Sequence, residues 1–486
     1  MMNKYSFGLL PVLLLVALVG CKKDPGKISP PPRPGEDGDR TAAEQVLDSV
    51  YSKYKQLSYW ASSIEVVDPI SDLTDNYTDP ERLLAYLKSQ TPEKTDFVYH
   101  PDYSGPLDRF SWLEDLSDAS SSAARADRAE GYGFYLAAGG GRTDSIYVYF
   151  VEGGSPAAEA GMRRGQRVIE MQGDRDMVGA NVPNVERYVL QDQLNMVVYD
   201  ESGGEKEFDM TYTSYEIDPL VRDTVYHRGG DRIGYLALSS FEELYRQGGA
   251  TTPLYDNLEA IFDRFGSGPD RIDELILDFR YNVGGYVSTA VHFANKVINV
   301  AGDKKTMFSY DVNQRLAEER DRGDKEFADE IFARKSQLDL RRVYFLVTDN
   351  TASASEIVIA ALMPYMDVQI IADNRATYGK PVGFFREDIS DDLGLWAASF
   401  KIVNADGFTD YWDGIPATKS GVFDNYYLDF GDPNENMTKS AIDHITKGVF
   451  SGRTTAQKAD ARSGISDPET SRKINARPIR GMKKQK

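Results

Sequence analysis

The sequence is short of the residues that most active sites use. It has one cysteine in 486 residues, so no internal disulfide can form. Its four histidines, His100, His227, His292 and His444, sit in no glycine-rich turn and at no obvious strand end. The sequence contains no H-E-x-x-H, no Cys/His metal cluster, no G-x-x-x-x-G-K-[ST] phosphate loop and no G-x-S-x-G elbow. Positive charge is scarce as well. Lysine and arginine number 56 against 76 aspartates and glutamates, and the net charge of −20 repels nucleic-acid phosphates. Long apolar runs are missing too: the longest, Phe7 to Val19, falls short of the roughly 20 residues a bilayer span needs. No metal, organic cofactor or nucleic acid is expected.

What is present begins at that run. Lys4 supplies a positive n-region, and the apolar stretch suits a secretory signal. It ends in Leu18-Val19-Gly20-Cys21, which resembles a bacterial lipobox, and the single cysteine falls at the position that motif acylates. Residues 1–20 therefore read as a lipoprotein signal peptide and Cys21 as the lipidation site; the alternative is a plain signal with an incidental cysteine. The Pro/Gly-rich stretch 21–40 reads as a tether. The expected location is the bacterial cell envelope, lipid-anchored, with the outer membrane as the expected site. Membrane face and oligomeric state stay open.

A chain this long exceeds one ordinary core. Residues 41–127 have apolar residues at three- and four-residue spacing in "AAEQVLDSVYSKYKQL" and "DPERLLAYLKSQ", and read as a small helical domain. From 226 to 449, continuous apolar strands ("RIGYLALSSF", "ELILDFRYN", "RRVYFLVTDN", "VQIIA") alternate with helices, which predicts a buried, largely parallel α/β sheet. Within it, "NQRLAEERDRGDKEFADEIFARKSQL" reads as a charged, solvated helical arm. The last stretch, 450–486, is nearly devoid of apolar residues and rich in Lys and Arg, and is expected to lack order.

Between these lie short β runs with glycine turns, over 128–225. The order of strands, the short helix after "GGSPAA", and a further helix at "NVERYVLQDQL" resemble a PDZ domain. Gly131-Tyr132-Gly133-Phe134 falls where such domains bind a terminal carboxylate. Glycines there let successive backbone N–H groups converge on the anion, and the peptide adds as a strand to the neighbouring sheet edge. A structural spacer is the alternative.

Two small-residue turns follow strands of the α/β region: "RYNVGG" and "TASASE". Open α/β sheets place sites at such strand ends. Thr351, Ser353 and Ser355 alternate with alanine in the second turn. Ser353 with Glu356 fits a capping box, and a serine there also lies in a field that favours negative charge. A serine nucleophile needs a base. A lysine can serve if burial keeps it neutral. Lys380 in "ATYGKPVGF", 27 residues after Ser353, is the candidate. Asp278 in "ILDFR" reads as a brace.

The segments "IGYLALSSF", "LILDFRYNVGG", "TASASEIVIAAL" and "TYGKPVG", in that order behind a PDZ-like region, resemble the C-terminal processing (tail-specific) serine peptidases. "DRFSWLED", Asp108 to Asp115, resembles a segment of their envelope-lipoprotein branch. The resemblance spans roughly Asp108 to Ile415. It implies a ClpP/crotonase-like α/β catalytic domain with a mixed sheet. It also implies Ser353 as nucleophile, Lys380 as general base, and oxyanion donors at Gly284 or Gly285 and at Ala354. Many members orient the lysine with a glutamine four residues on; here that position is Phe384. The expected function is an anchored endopeptidase that captures the exposed C-terminal tails of proteins. A noncatalytic PDZ scaffold or chaperone on a degenerate protease fold is the alternative, and a Ser/His hydrolase using His227 or His292 a third.

Overall fold

The computed structural model describes residues 40–100, 103–116, 128–138, 144–199, 203–246, 248–451, 472–474 and 482–483. The expected signal peptide, Cys21, the tether before Arg40 and most of the stretch after 451 lie outside the described residues.

The N-terminal helices begin where their caps predict. In α1 (Ala42–Leu57), Thr41 and Glu44 exchange side chain-to-backbone hydrogen bonds as a capping box. In α2 (Pro80–Ser89), Asp79 accepts from Glu81 N–H and Pro80 occupies the first turn. Leu47, Val50, Tyr54, Leu83 and Leu87 point inward, but the core they enter also contains Leu395 and Ala397 from a late strand. Past Ser89 the chain turns to short strands. The last, β1 (Trp112–Asp115), pairs antiparallel with that late strand, Leu393–Asn404. The expectation of a helical domain through 127 is corrected accordingly: two amphipathic helices need an apolar surface, and the nearest one belongs to the α/β body.

The middle region is a sheet of β2 (Phe134–Ala138), β3 (Ile146–Val151), β4 (Arg167–Met171), β5 (Gln193–Tyr199) and β6 (Glu205–Thr211), each antiparallel to the next. The helix α3 (Val182–Tyr188) covers one face, with Val182 and Val185 in a core shared with Leu136, Val148, Met196 and Phe208. The helix was expected through Leu194; it ends at Tyr188, because Gln193 already begins β5 with alternating burial.

The α/β body starts earlier than residue 226. Its first strand, β7 (Leu220–Arg228), forms a hairpin with β8 (Asp231–Leu238). Then follow α4 (Pro253–Gly266), β9 (Glu274–Asp278), α5 (Val287–Val297), β10 (Thr306–Val312), β11 (Glu330–Ile331), β12 (Arg342–Val347), α6 (Ala354–Leu362), β13 (Asp367–Ala372), β14 (Val382–Ser390), β15 (Leu393–Asn404) and α7 (Asn436–Lys447). One sheet has the order β7-β8-β9-β12-β13, parallel except for the β7–β8 hairpin. Strands buried on both faces explain the uninterrupted apolar runs. One face packs α4, α5 and α6; the other packs Met437, Ala441 and Ile442 of α7. A second, antiparallel sheet joins β11, β10, β15 and β14.

The charged stretch after β10 is not the solvated arm expected. It is helical at Gln314–Asp321, after which Phe327, Phe332, Leu338 and Leu340 plug the main core. The end of the chain also departs from expectation. Two pieces of it pair with sheet edges: β16 (Arg472–Lys473) with β2, and β17 (Met482–Lys483) with β14. Strand addition uses backbone groups, so it needs little apolar patterning.

Candidate active site

The site forms at the carboxyl ends of β9 and β12, where the parallel sheet leaves backbone groups facing one cleft. After β12 the chain turns sharply into α6 through Ser353, at φ 64° and ψ −117°. That conformation costs a non-glycine residue about 1–3 kcal/mol. The result is a sharp strand–turn–helix elbow, made without the G-x-S-x-G signature.

The three hydroxyls of the turn have different fates. Thr351 Oγ1 donates to Phe279 O at 2.7 Å, and Ser355 Oγ donates to Asn282 O at 3.0 Å. Both tie the turn to the loop after β9. Ser353 stands in capping-box position, yet its Oγ is buried and has no hydrogen-bond partner among the described residues. A buried polar atom left unpaired calls for an explanation. Local structure fully accounts for Thr351 and Ser355, and does not account for Ser353.

Glu356, one turn into α6, joins the serine turn to the lysine turn. Its Oε2 accepts Ser353 N–H at 2.8 Å and Lys380 N–H at 2.9 Å. Its Oε1 accepts Gly379 N–H at 2.8 Å and the Thr377 hydroxyl at 2.5 Å. Tyr378 N–H donates to Thr351 O at 2.9 Å, adding a second tie. Two residues 27 positions apart thus share one carboxylate oxygen. Burial pushes the Glu356 carboxyl above its usual value, and the four donors pull it back.

The Lys380 side chain is buried, 4% exposed. Burial pushes its amine down to about 7; nearby Glu356 opposes the shift and Arg109 adds to it. Its Nζ lies 4.6 Å from the Phe384 ring centre and 5.0 Å from that of Phe110. Phe384 is therefore one of two aromatic surfaces that hold the amine. Phe384 packs edge-on against Trp112 of β1, and Arg109 lies over the Phe110 ring at 4.5 Å. The "DRFSW" segment thus reaches the lysine. Ser353 Oγ and Lys380 Nζ are not hydrogen-bonded to each other. Catalytic contacts are commonly loose without substrate.

The glycine turn sits against the serine. Gly284 has φ 103°, and a Cβ on it would lie 2.7 Å from Ser353 Cβ, so no side chain fits. Its N–H is already donated to Asn282 Oδ1 at 3.1 Å. The amides of Gly285 and Ala354 make no hydrogen bond among the described residues.

Other expected groups lie elsewhere. Among the histidines, His100 Nε2 bonds Thr377 O at 2.8 Å, His292 pairs with Glu259, and His444 stacks on Phe450. None bonds Ser353 Oγ. Asp278 is bound by Arg280 and by Tyr235 Oη, and braces the base of the glycine turn. Gly131 ends a short strand, Tyr132 and Gly133 form the turn, and Phe134 begins β2; the Tyr132 and Phe134 side chains are buried, and Tyr132 Oη donates to Gln191 O. A cleft of about 480 Å³ separates that region from the start of α4, lined by Glu159, Glu216, Glu242, Glu243 and Arg246 among others.

Glu356, Thr377, Arg109 and Phe110 were not read from the sequence as parts of the site. A glutamate inside the apolar helix "SEIVIAAL" was the available signal for the first.

The features define an α/β protein with a strained serine at a strand–helix turn and a buried lysine whose backbone shares Glu356 with it. Residues 232–415 match the model of peptidase family S41. The carboxy-terminal processing protease CtpA of Bacillus subtilis (strain 168) is 26% identical over 285 residues, 58% of this chain and 54% of that protein. A CtpA-like serine protease of Staphylococcus aureus (strain COL) is 24% identical over 274 residues, 56% of this chain and 49% of that protein. The chain spans about half the length of these curated relatives. A crystal structure assigned to the S41 proteases, from Bacteroides fragilis NCTC 9343, aligns with a TM-score of 0.59 at 24% identity, covering 82% of this chain and 96% of that one. It shares the fold.

Proposed function

We propose that this protein is a serine endopeptidase working through a Ser353/Lys380 dyad. Neutral Lys380 takes the Ser353 proton as Oγ attacks the scissile carbonyl. The N–H groups of Gly285 and Ala354 receive the oxyanion, since Gly284 N–H is engaged by Asn282. The resulting ammonium protonates the leaving amine, and the same lysine then activates water to release the acyl group. The observation that supports this reading is the Glu356 oxygen that accepts both the Ser353 and the Lys380 backbone N–H, where the serine hydroxyl has no partner among the described residues and the lysine is buried.

The middle region serves, on this reading, as a PDZ domain. Gly131 to Phe134 would hold a terminal carboxylate, and β2 would add the peptide as a strand, so substrates are proteins with exposed C-terminal tails. Lipidation at Cys21 would tether the protein to the cell envelope; a Cys21→Ala variant should then move from the membrane to the soluble fraction.

The noncatalytic scaffold reading drew its support from Phe384, and that residue now has a place beneath the amine. The deciding experiment compares hydrolysis of casein and of a tailed protein by the unmodified chain, Ser353→Ala and Lys380→Ala. Equal turnover by either variant ends the dyad proposal.

A further inference from the structure

The end of the chain lies on two sheet edges, one of them the β2 edge at which a substrate tail would add. On the middle sheet, β16 runs antiparallel to β2, with Arg472 opposite Ala138 and Lys473 opposite Ala137. Ile474 N–H then donates to Leu136 O at 2.8 Å. The register steps back along β2 toward the Gly131–Phe134 loop, the direction in which a captured C-terminus would run. Ile474 is 9% exposed and enters the core of that region with Leu136, Val182 and Val185. It fills an apolar site on the groove between β2 and α3.

The second contact is in the α/β body. There β17 pairs parallel with β14, Met482 opposite Gly383 and Lys483 opposite Phe384. Phe384 is the residue under the Lys380 amine. Ile474 and Met482 are eight positions apart, a stretch that can span at most about 29 Å. One short peptide thus touches both the capture edge and the strand beside the candidate base. Charge favours the arrangement. Residues 452–486 carry ten Lys and Arg against three Asp and Glu, whereas the rest of the chain carries 46 against 73.

We propose that residues 472–474 and 482–483 act as a built-in competitor, attached segments that occupy the capture edge of β2 and the β14 edge until substrate displaces them. This rests on the peptide-capture reading above, but not on turnover. An attached segment competes at an effective concentration in the millimolar range, which would set a threshold that weakly binding tails fail to cross.

The test uses three proteins in the Ser353→Ala background: the full chain, a chain ending at Ser451, and the full chain with Ile474→Asp. A fluorescein-labelled synthetic peptide of residues 468–486 is titrated into each. The shortened chain should bind it on the order of tenfold or more tightly than the full chain, with Ile474→Asp between them. Equal affinity for full and shortened chains overturns the proposal, as does no binding to the shortened chain; the segment would then only shield its edges. If the shortened chain fails to fold, Ile474→Asp alone decides. Binding is read without catalysis, so a failed peptidase reading shows separately as a lack of hydrolysis by the Ser353 form. If hydrolysis occurs, removal of the segment should lower KM for a tailed substrate and leave kcat unchanged.

Discussion

Two buried polar clusters lie within one loop of each other and are built on opposite terms. In the first, Arg280 and Arg164 meet Asp278, Asp424 and Glu435. Arg280 bonds Asp278 at 2.5 Å and Asp424 at 2.6 Å, and Arg164 bonds Asp424 at 2.5 Å. Tyr281 adds its hydroxyl to Asp424. Burial alone would raise the Asp424 carboxyl, but the two guanidiniums hold it well below the usual carboxylate range. Every charge has a partner, and the cluster pins the middle region, through Arg164, to the body. In the second cluster, Ser353 Oγ has no partner and Lys380 has rings for neighbours where an acid would keep it charged. A satisfied network fixes geometry, whereas an unpaired buried group keeps its desolvation cost.

The sharpest way to break the comparison is to delete each cluster's key group. Ser353→Ala and Lys380→Ala should each cut kcat by about a thousandfold or more, with the thermal midpoint held within a few degrees. Arg280→Met should do the reverse in kind. It leaves three buried carboxylates short of a cation, and denaturant unfolding should show a loss of about 3–5 kcal/mol. A loss under about 1 kcal/mol would mean the first cluster is not what holds the regions together.

Lys380 gives an opposite sign. Its folded pKa, about 7, lies below the 10.5 of the free side chain, so the folded state resists protonation. The penalty is complete below pH 7 and fades as pH rises from 7 toward 10.5. Lys380→Met should therefore be more stable than the unmodified protein at pH 6, by up to about 4 kcal/mol, with the gap closing by pH 10. Calorimetry at the two pH values measures it, and a destabilised variant at pH 6 would contradict the burial argument. On the dyad reading, kcat/KM should rise about tenfold per pH unit up to about 7 and then level off. The smallest effect belongs to Phe384→Leu. Losing one ring face removes about 0.5–1 kcal/mol of support for the cation. The acidic limb should shift to lower pH by a fraction of a unit, and kcat should fall severalfold as the amine loses its seat.

Parts of this site were legible in the residues. A small hydroxyl residue between an apolar strand and an apolar helix has few roles, so Ser353 and its neighbours stood out. Their ranking did not, because it depends on carbonyls of Phe279 and Asn282, which come from another strand. Glu356 read as a cap, and it is one; that the same carboxylate also receives Lys380 and Gly379 requires β14 to come back beside α6. Gly284 and Gly285 looked interchangeable until Asn282 took one amide. Arg109 and Phe110, far away in the chain, act through β1's place in the second sheet. The last stretch read as structureless because its composition says nothing about which edges lie within reach.

The sequence by itself determined the alternation of buried strands and helices, the acidic surface, and a serine at a strand end. These follow from local periodicity, charge and turn chemistry, each set by neighbours within a few residues. Which hydroxyl stays unpaired, what keeps the lysine dry, and where the chain's end comes to rest were decided by tertiary structure. Desolvation and hydrogen-bond satisfaction depend on atoms that are close in space and distant in sequence, and no short window of residues contains them.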